Sequence, residues 1–412
     1  MRREGGRGLS LRSTASPPRR RLPRSVLVAL AALGPGILGL VADNDAGGMT
    51  SYLLTGAQHE LRLFLPALLA MGAATVFIQD MALRLALGTR RPFQRLVRDR
   101  LGSGAAQLQA LLLHALNVIV LATELSGMGL ALQWAMGLPF AAAVGLALAA
   151  TIVIAGRGRY HSLERLLLVV GVLNLAFIAT LFWLPAGPGV QSAWRAAPLT
   201  AETNFYLLAL AGNAVAPWMV YWQENAVVAR GMKMWELKRG RFDLLVGVLV
   251  QMAMASVVLW IGASLHGSPG HVFNPLQWMG VTAGPRAADL FAVGLLDAGL
   301  LAAVTIGFSS SWMVTEAFPA EPRTQQRRRG LIQAGSLAAA AVLVICPGWP
   351  QGFLALFAQA LAALLMPIVL LFLGTLANDQ QLLGRLANRA WQRAGWLLLA
   401  ALFFGLAAAA WL

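Results

Sequence analysis

The sequence predicts an all-α membrane protein of eleven transmembrane helices, built as two inverted five-helix repeats whose first helices, spans one and six, are discontinuous. Three observations predict it. Hydrophobic residues make up 58% of the 412 and charged ones only 12%, about half the charged share of a soluble domain. Apolar runs long enough to cross about 30 Å of hydrocarbon recur along nearly the whole chain. Two of these runs, each opening a block of five, are interrupted at mid-depth by Gly, Pro, Asp or Asn. The first two observations exclude a water-soluble enzyme, and the single cysteine, Cys346, excludes an intrachain disulfide framework or a thiolate metal cluster.

Taken in order, residues 1–25 form a basic tail with eight arginines among Pro, Ser and Gly, too polar to pack a core and expected to be disordered. A secretory signal is the alternative, but the following apolar stretch has no convincing small-residue cleavage site and runs directly into Asp43, Asn44 and Asp45. The first repeat, 26–186, carries spans Val26 to Ala57, Phe64 to Leu87, Ala110 to Met136, Leu138 to Ala155 and Leu166 to Leu184. The second, 200–377, carries Phe205 to Val228, Leu244 to Leu265, Leu290 to Val314, Leu331 to Ile345 and Phe353 to Leu376. An eleventh helix, within 392–412, is expected from Trp396 to Leu412.

This count can be tested against the preference of Lys and Arg for the cytoplasmic side. The tail and the alternate connections Arg90 to Arg100, Arg157 to Arg165, Arg230 to Arg241, Arg323 to Arg329 and Arg385 to Arg393 hold 28 of the 32 basic residues. The opposite loops hold only Arg62, Arg195 and Arg286, and Arg84 sits near the inner end of the second span. The pattern places the chain in a plasma (inner) membrane, multi-pass, with a cytoplasmic N-terminus and an outside C-terminus. It also explains the net charge of +15 by topology, which leaves nucleic acid with no part as a partner.

An ionisable group inside a span is costly unless it faces a cavity or a partner, so such groups are the first places to look for function. In Gly34-Pro35-Gly36-Ile37-Leu38-Gly39-Leu40-Val41-Ala42-Asp43-Asn44-Asp45-Ala46-Gly47-Gly48, two carboxylates, an amide and a Gly pair break the first span. Glycine lets the backbone leave helical geometry there and free its carbonyls as oxygen ligands. The alternative is a loop between two shorter helices with the Asp residues as caps, which spoils the charge alternation. In the sixth span, Asn213-Ala214-Val215-Ala216-Pro217-Trp218 contains a proline that removes a backbone donor and leaves carbonyls near Asn213 unpaired, unless it is a simple kink. Asp45 and Ala216 lie 171 residues apart, each in the first helix of its block, as expected of an inverted-repeat transporter whose broken helices meet at a midplane site.

These two segments resemble the Nramp family of divalent metal transporters. The family pattern Gly-Pro-Gly, eight residues, Asp-Pro-Gly-Asn is met by Gly34-Pro35-Gly36 and Asp45-Ala46-Gly47-Gly48, and Ala-x-x-Met-Pro-His by Asn213-Ala214-Val215-Ala216-Pro217-Trp218. Gly294 to Leu300, Glu316-Ala317-Phe318, Gln359 with Pro367, and Asn378-Asp379 followed by Leu383-Gly384 and Asn388 extend the likeness over roughly Leu33 to Asn388. The acidic ligand is kept, while the asparagine and methionine ligands have become Gly48 and Ala216, which is similar to the divergent branch of Nramp-related magnesium transporters. A thioether favours soft transition metals, so its loss removes that preference. It also enlarges the site, and Mg²⁺ sheds water reluctantly, so a roomier oxygen-lined cavity suits a partly hydrated ion; Mn²⁺ fits the same ligands.

The resemblance implies a LeuT-like fold and a secondary transporter moving Mg²⁺ or Mn²⁺ by alternating access, with the ion as substrate and no cofactor. It implies Asp45 as central ligand, the carbonyls of Ala42 and Asn213 as neutral ligands, Gly48 and Ala216 lining the cavity, and Gln359 giving an amide oxygen or holding a coordinated water. Around these, Asp43 and Asn44 flank the break, with Asp43 either near the ion's waters or in a structural hydrogen bond. Glu124 takes the place of a third-helix acid and adds negative potential, or belongs to a buried ion pair. Glu224 faces the inner vestibule or pairs with Arg230. Asp297 is a weaker candidate, and His59, His114, His161, His266 and His271 share no chelating spacing.

Three positions that the resemblance associates with proton movement carry Trp218, Gln223 and Gly127, so transport without proton coupling is expected, driven by gradient and potential. The alternatives are a proton-coupled transition-metal importer and a sodium-coupled amino-acid carrier on the same fold, the latter disfavoured by two Asp residues where a substrate carboxylate would sit. A membrane enzyme would need a motif such as His-Glu-x-x-His, which is absent. A receptor or scaffold leaves the buried carboxylates unexplained. The oligomeric state is open, and a monomer is compatible with all of this.

Overall fold

The computed structural model describes residues 35–59, 61–156, 167, 169–185, 194, 199–265, 274–346 and 349–410. The basic tail, the start of the first span, the connection 157–165, and His161, Arg195, His266 and His271 lie outside them. The described chain is helical: α1 Pro35–Ala42, α2 Ala46–Gln58, α3 Leu61–Thr89, α4 Phe93–Leu101, α5 Ser103–Met136, α6 Phe140–Gly156, α7 Gly171–Trp183, α8 Ala201–Ala214 and α9 Pro217–Arg230. There follow α10 Leu237–Ser264, α11 Pro275–Thr282, α12 Pro285–Ala317, α13 Pro322–Ile345, α14 Gln351–Asn378, α15 Gln380–Leu383 and α16 Ala390–Ala409.

Eight helices among the described residues are long and apolar enough to cross a membrane, counting α8 and α9 as one. The first span is the broken pair α1 and α2, and the fourth and fifth spans correspond to the shorter apolar helices α6 and α7. The sequence places several helix ends too far inward: α10 starts at Leu237 rather than Leu244, α12 at Pro285 rather than Leu290, α13 at Pro322 rather than Leu331, and α16 at Ala390 rather than Trp396. Hydropathy sees only the hydrocarbon-crossing part, whereas helices such as α10 and α13 continue into the headgroup region on Lys and Arg, whose stems reach past the apolar boundary. Three helices are missing from the sequence reading, the four-residue α15 among them. The Arg90 to Arg100 connection contains α4, which buries Phe93, Leu96 and Val97 and leaves Arg95 outward, and α11 begins at an Asn274 cap whose side chain accepts from the Leu276 and Gln277 N–H groups.

Burial separates a centre from a rim. The apolar stretch of α8 and α9 is 89% buried and that of α12 78%, against 22% for α16 and 33% for α13, so the broken pair and α12 are surrounded by protein while the last helix faces lipid. Around this centre α2 packs on α10 and α9 on α3, while α5 lies along α12 and α8 along α14.

One very close approach is between α2 and α10. A Cβ on Gly56 would overlap the Leu259 carbonyl oxygen, and one on Gly262 the Leu53 carbonyl oxygen, so the two backbones touch as small residues allow in membranes. Gly262→Val is expected to force them apart and cost about 1–3 kcal/mol or more, read as a lowered thermal midpoint in detergent; an unchanged midpoint would contradict this packing.

On the arginine-rich side, the Arg84 guanidinium, its side chain 4% exposed, donates to Asp80 (2.9 Å), the Leu386 carbonyl (2.6 Å) and Asn388 Oδ1 (2.7 Å). Arg241 of α10 reaches the same Asp80 at 2.7 Å, so one carboxylate ties α3 and α10 while Arg84 holds the connection before α16.

Candidate functional site

The site is the pair of breaks. After α1 the chain turns through Asp43, Asn44 and Asp45, with the Asp43 N–H on the Gly39 carbonyl (3.0 Å) and the Asn44 N–H on the Val41 carbonyl (3.2 Å). Asp45, in extended conformation, is the N-cap of α2 and accepts from the Gly48 N–H. The Ala46 N–H, which in a continuous helix would return to the Ala42 carbonyl, donates instead to Glu124 Oε2 at 2.7 Å. The neighbouring Gly47 N–H reaches Oε1 of the same carboxylate at 3.4 Å, and the Thr123 hydroxyl donates to it at 3.0 Å. Glu124 thus diverts the donor that the Ala42 carbonyl would otherwise receive. Its close seat is permitted by Gly47, where a Cβ would overlap the Thr123 hydroxyl, and by Gly127, where a Cβ would lie 2.5 Å from that of Ala46.

In the second break Pro217, at the start of α9, has no N–H to give the Asn213 carbonyl. The Ala214 carbonyl is satisfied by the Thr75 hydroxyl (2.8 Å) and by Gln251 Nε2 (3.2 Å). Gln251 also donates to Asp43, so one amide on α10 joins the two breaks.

Two helices therefore end at the breaks with their carbonyl, partially negative poles, and two begin there with their N–H, partially positive poles. The positive pole of α2 is already covered by Asp45 and Glu124, and that of α9 lacks one donor at Pro217. What is left facing the gap is negative.

The structure brings most of the sequence-derived residues together. Ala42, Asp43, Asn44, Asp45, Glu124, Asn213, Ala216 and Gln359 are all buried to within 4% exposure. Gln359 is buried and its side chain faces the Asp45 carboxylate. Asp43 Oδ1 and both side-chain polar atoms of Asn44 are likewise unpartnered there. Trp218 lies one residue past the break, its carbonyl held by the Ser309 hydroxyl at 2.8 Å and its ring N–H buried without an acceptor among the described residues.

Several expectations are corrected. Gly48 does not line open space, because the Asn213 amide lies over it. Glu124 caps a helix rather than forming an ion pair. Gln223 and Glu224 lie on α9 roughly 10 Å along the axis from its start, the two turns from Pro217 at which the sequence sets Glu224. Glu224 is fully buried on α9, with the Phe93 backbone against its carboxylate. Asp297 accepts from Asn174 Nδ2 at 2.6 Å, between α7 and α12. His114 meets the Ser310 hydroxyl at 2.8 Å, and the His59 ring lies 4.2 Å, centroid to centroid, from that of Tyr206.

Sequence reasoning missed Gln251, Thr75 and Thr123. Gln251 was visible as an isolated polar residue in an apolar run; nothing in the sequence separates Thr75 or Thr123 from the threonines that bond their own helix, as Thr55 does to Ser51. No group of three His, Cys, Asp or Glu arranged to hold a metal occurs among the described residues.

A helical membrane protein with two interrupted helices facing each other across its centre belongs to the broken-helix transporter class, and solved structures share this fold. A manganese transporter of Eremococcus coleocola superposes with a TM-score of 0.74 at 17% identity, covering 97% of this chain and 90% of that one. Mhp1, a nucleobase-cation-symport-1 family transporter, superposes with a TM-score of 0.61 at 15% identity over 92% of this chain and 90% of its own. The chain belongs to the Nramp family: the model of the natural resistance-associated macrophage protein-like family matches residues 36–412. Among curated relatives, the divalent metal cation transporter MntH of Ralstonia nicotianae is 26% identical over 395 residues, 89% of this chain and 87% of that protein.

Proposed function

We propose that this protein is a secondary transporter of a hard divalent cation, Mg²⁺ or Mn²⁺, working by alternating access in the inner membrane with a cytoplasmic N-terminus and an outside C-terminus. The observation that carries the reading is the charge balance at the breaks. Asp43, Asp45 and Glu124 are buried together, and none of the ion pairs among the described residues involves them. Buried carboxylates with no cationic side chain require a cation or protons from outside the chain. The relatives' names point to divalent metals, and the donor set supports them: a carboxylate from Asp45, carbonyls of Ala42 and Asn213, and the amide of Gln359 are all hard oxygens. Ala216 supplies no thioether.

The rival amino-acid carrier needs an uncovered helix N-terminus for the substrate's carboxylate. Here Asp45 and Glu124 occupy that of α2. Movement of the ion alone suffices energetically, since inward potential contributes about 2.3 kcal/mol per charge at ~100 mV. Trp218, Gln223 and Gly127 carry no titratable side chain at the positions where coupling is expected, and the space against Ala46 leaves no room for an acid at 127. A second reading, proton-coupled uptake, is favoured by the fully buried Glu224 on α9, which is a candidate proton carrier.

One experiment tests both. Purified protein in liposomes is loaded with a pH dye and given Mg²⁺, Mn²⁺, Ca²⁺ or Cd²⁺ under an inside-negative potential. Uptake of Mg²⁺ or Mn²⁺ above empty liposomes, without acidification of the lumen, is expected. Metal-dependent acidification would replace the uncoupled mechanism, and absence of any divalent uptake would remove the proposal.

A further inference from the structure

Positions 48 and 213 face each other across the two breaks. A Cβ built on Gly48 would overlap Asn213 Oδ1 and lie 2.8 Å from its Cγ and Nδ2, so the Asn213 amide occupies the volume that a side chain at 48 would need. The orientation of that amide is determined. Its Nδ2 donates to the Gly48 carbonyl at 3.0 Å, and the opposite rotamer would set two acceptor oxygens against each other. Oδ1 is therefore the atom left over. It is buried, in a residue 1% exposed, and has no donor among the described residues.

Gly48 thus holds the two side chains at once: its N–H is bonded by Asp45 and its C=O by Asn213. A buried carbonyl-type oxygen without a donor, fixed beside a carboxylate that also lacks a cationic partner, is a ligand position for a hard cation.

Resting on the divalent-cation reading above, we infer that the side-chain oxygen Oδ1 of Asn213 contacts the transported cation or one of its bound waters. The amide that the family pattern carries at position 48, on the first helix, is here delivered from the sixth. Gly48 and Asn213 form a matched pair: the glycine gives the room, and the asparagine fills it with an oxygen. The break in α8 then contributes two oxygens from one residue, main-chain and side-chain, both hard, in a site with no sulfur.

The test uses the full-length protein in liposomes with Mn²⁺ and Mg²⁺ as probes. Asn213→Ala is expected to raise the half-saturating Mn²⁺ concentration roughly tenfold or more, the scale on which removal of a metal-site partner reads, and to shrink the thermal stabilisation given by Mn²⁺ in detergent. Gly48→Asn alone is expected to lose uptake, because two amides claim one volume. Gly48→Asn with Asn213→Ala is expected to return half-saturation to within about threefold of the parent, because the amide then comes from the other side. A purely structural amide would lower the thermal midpoint of the metal-free protein and leave half-saturation alone. If Asn213→Ala folds with unchanged half-saturation, or the exchanged double variant folds and fails to recover, the inference is overturned while Asp45-dependent uptake keeps the transport reading intact. If Asn213→Ala does not fold, the double variant alone decides. Loss of all divalent uptake by the parent protein would instead remove the reading on which this rests.

Discussion

Proteoliposomes carrying Asp45→Ala are expected to take up Mn²⁺ or Mg²⁺ at no more than about a hundredth of the parent rate, a loss of roughly 2.7 kcal/mol in transition-state terms. Asp45 does two things, and the variant removes both. Its carboxylate caps α2 through the Gly48 N–H, and it faces Gln359 across the gap between the broken helices. Loss of a cap costs about 1 kcal/mol of stability, too little to unfold a helical bundle of this size. Loss of the charge leaves the ion with neutral oxygens only.

The two roles separate in Asp45→Asn, since asparagine caps a helix as well as aspartate does. That variant is expected to keep the thermal midpoint of the parent and still fail to transport. Parent-like uptake by Asp45→Asn would make Asp45 a cap alone and place the ion elsewhere.

How far the sequence revealed this site follows from where the determining interactions lie along the chain. Both breaks were readable because their causes are local: Pro217 removes its own N–H, and Asp45 caps three residues ahead. The membrane class was readable because it is a property of composition. The tie between the breaks was not, since Gln251 is 208 residues from Asp43 and acts through one amide in a helix whose other inward positions, Asp243 apart, carry no polar side chain. Glu124 was identified as acidic and near, but its action on backbone donors 77 and 78 residues away needed the packed helices. Asn213 was singled out for its carbonyl, because the proline four residues on predicts a free main-chain oxygen. Its side chain became informative only when the structure placed it over Gly48. The amphipathic α4 was hidden by its arginines, which satisfied the loop-charge rule so well that the apolar face of Phe93, Leu96 and Val97 went unread.

Glu124→Ala is the second substitution with a large expected effect, at least about tenfold in uptake, and its physical route differs from that of Asp45. Here the diverted donor matters. In the parent protein the Ala46 N–H is bound by Glu124 Oε2, and a hydrogen bond to a charged acceptor is worth about 1.5–3 kcal/mol, more than the 0.5–1.5 kcal/mol of a neutral one. The balance therefore favours the break. With alanine at 124 the best remaining acceptor for Ala46 is the Ala42 carbonyl, so α1 and α2 are expected to close toward one helix and withdraw an oxygen from the ion. Glu124→Gln separates this from simple loss of charge. Its carbonyl oxygen still binds Ala46 while its NH₂ takes the place of Oε1, so the break persists and only the hydrogen bonds from the Gly47 N–H and the Thr123 hydroxyl are given up. If diversion of the backbone donor is what matters, Glu124→Gln retains most uptake and Glu124→Ala loses it, and amide hydrogen exchange across 39–50 slows in the alanine variant alone. If the charge itself is what matters, both variants fall together and exchange in that segment does not slow. Parent-like uptake in Glu124→Ala, with exchange unchanged, would mean that the break holds without this carboxylate and that the two half-helices are set apart by Pro217, Gln251 and Thr75 alone.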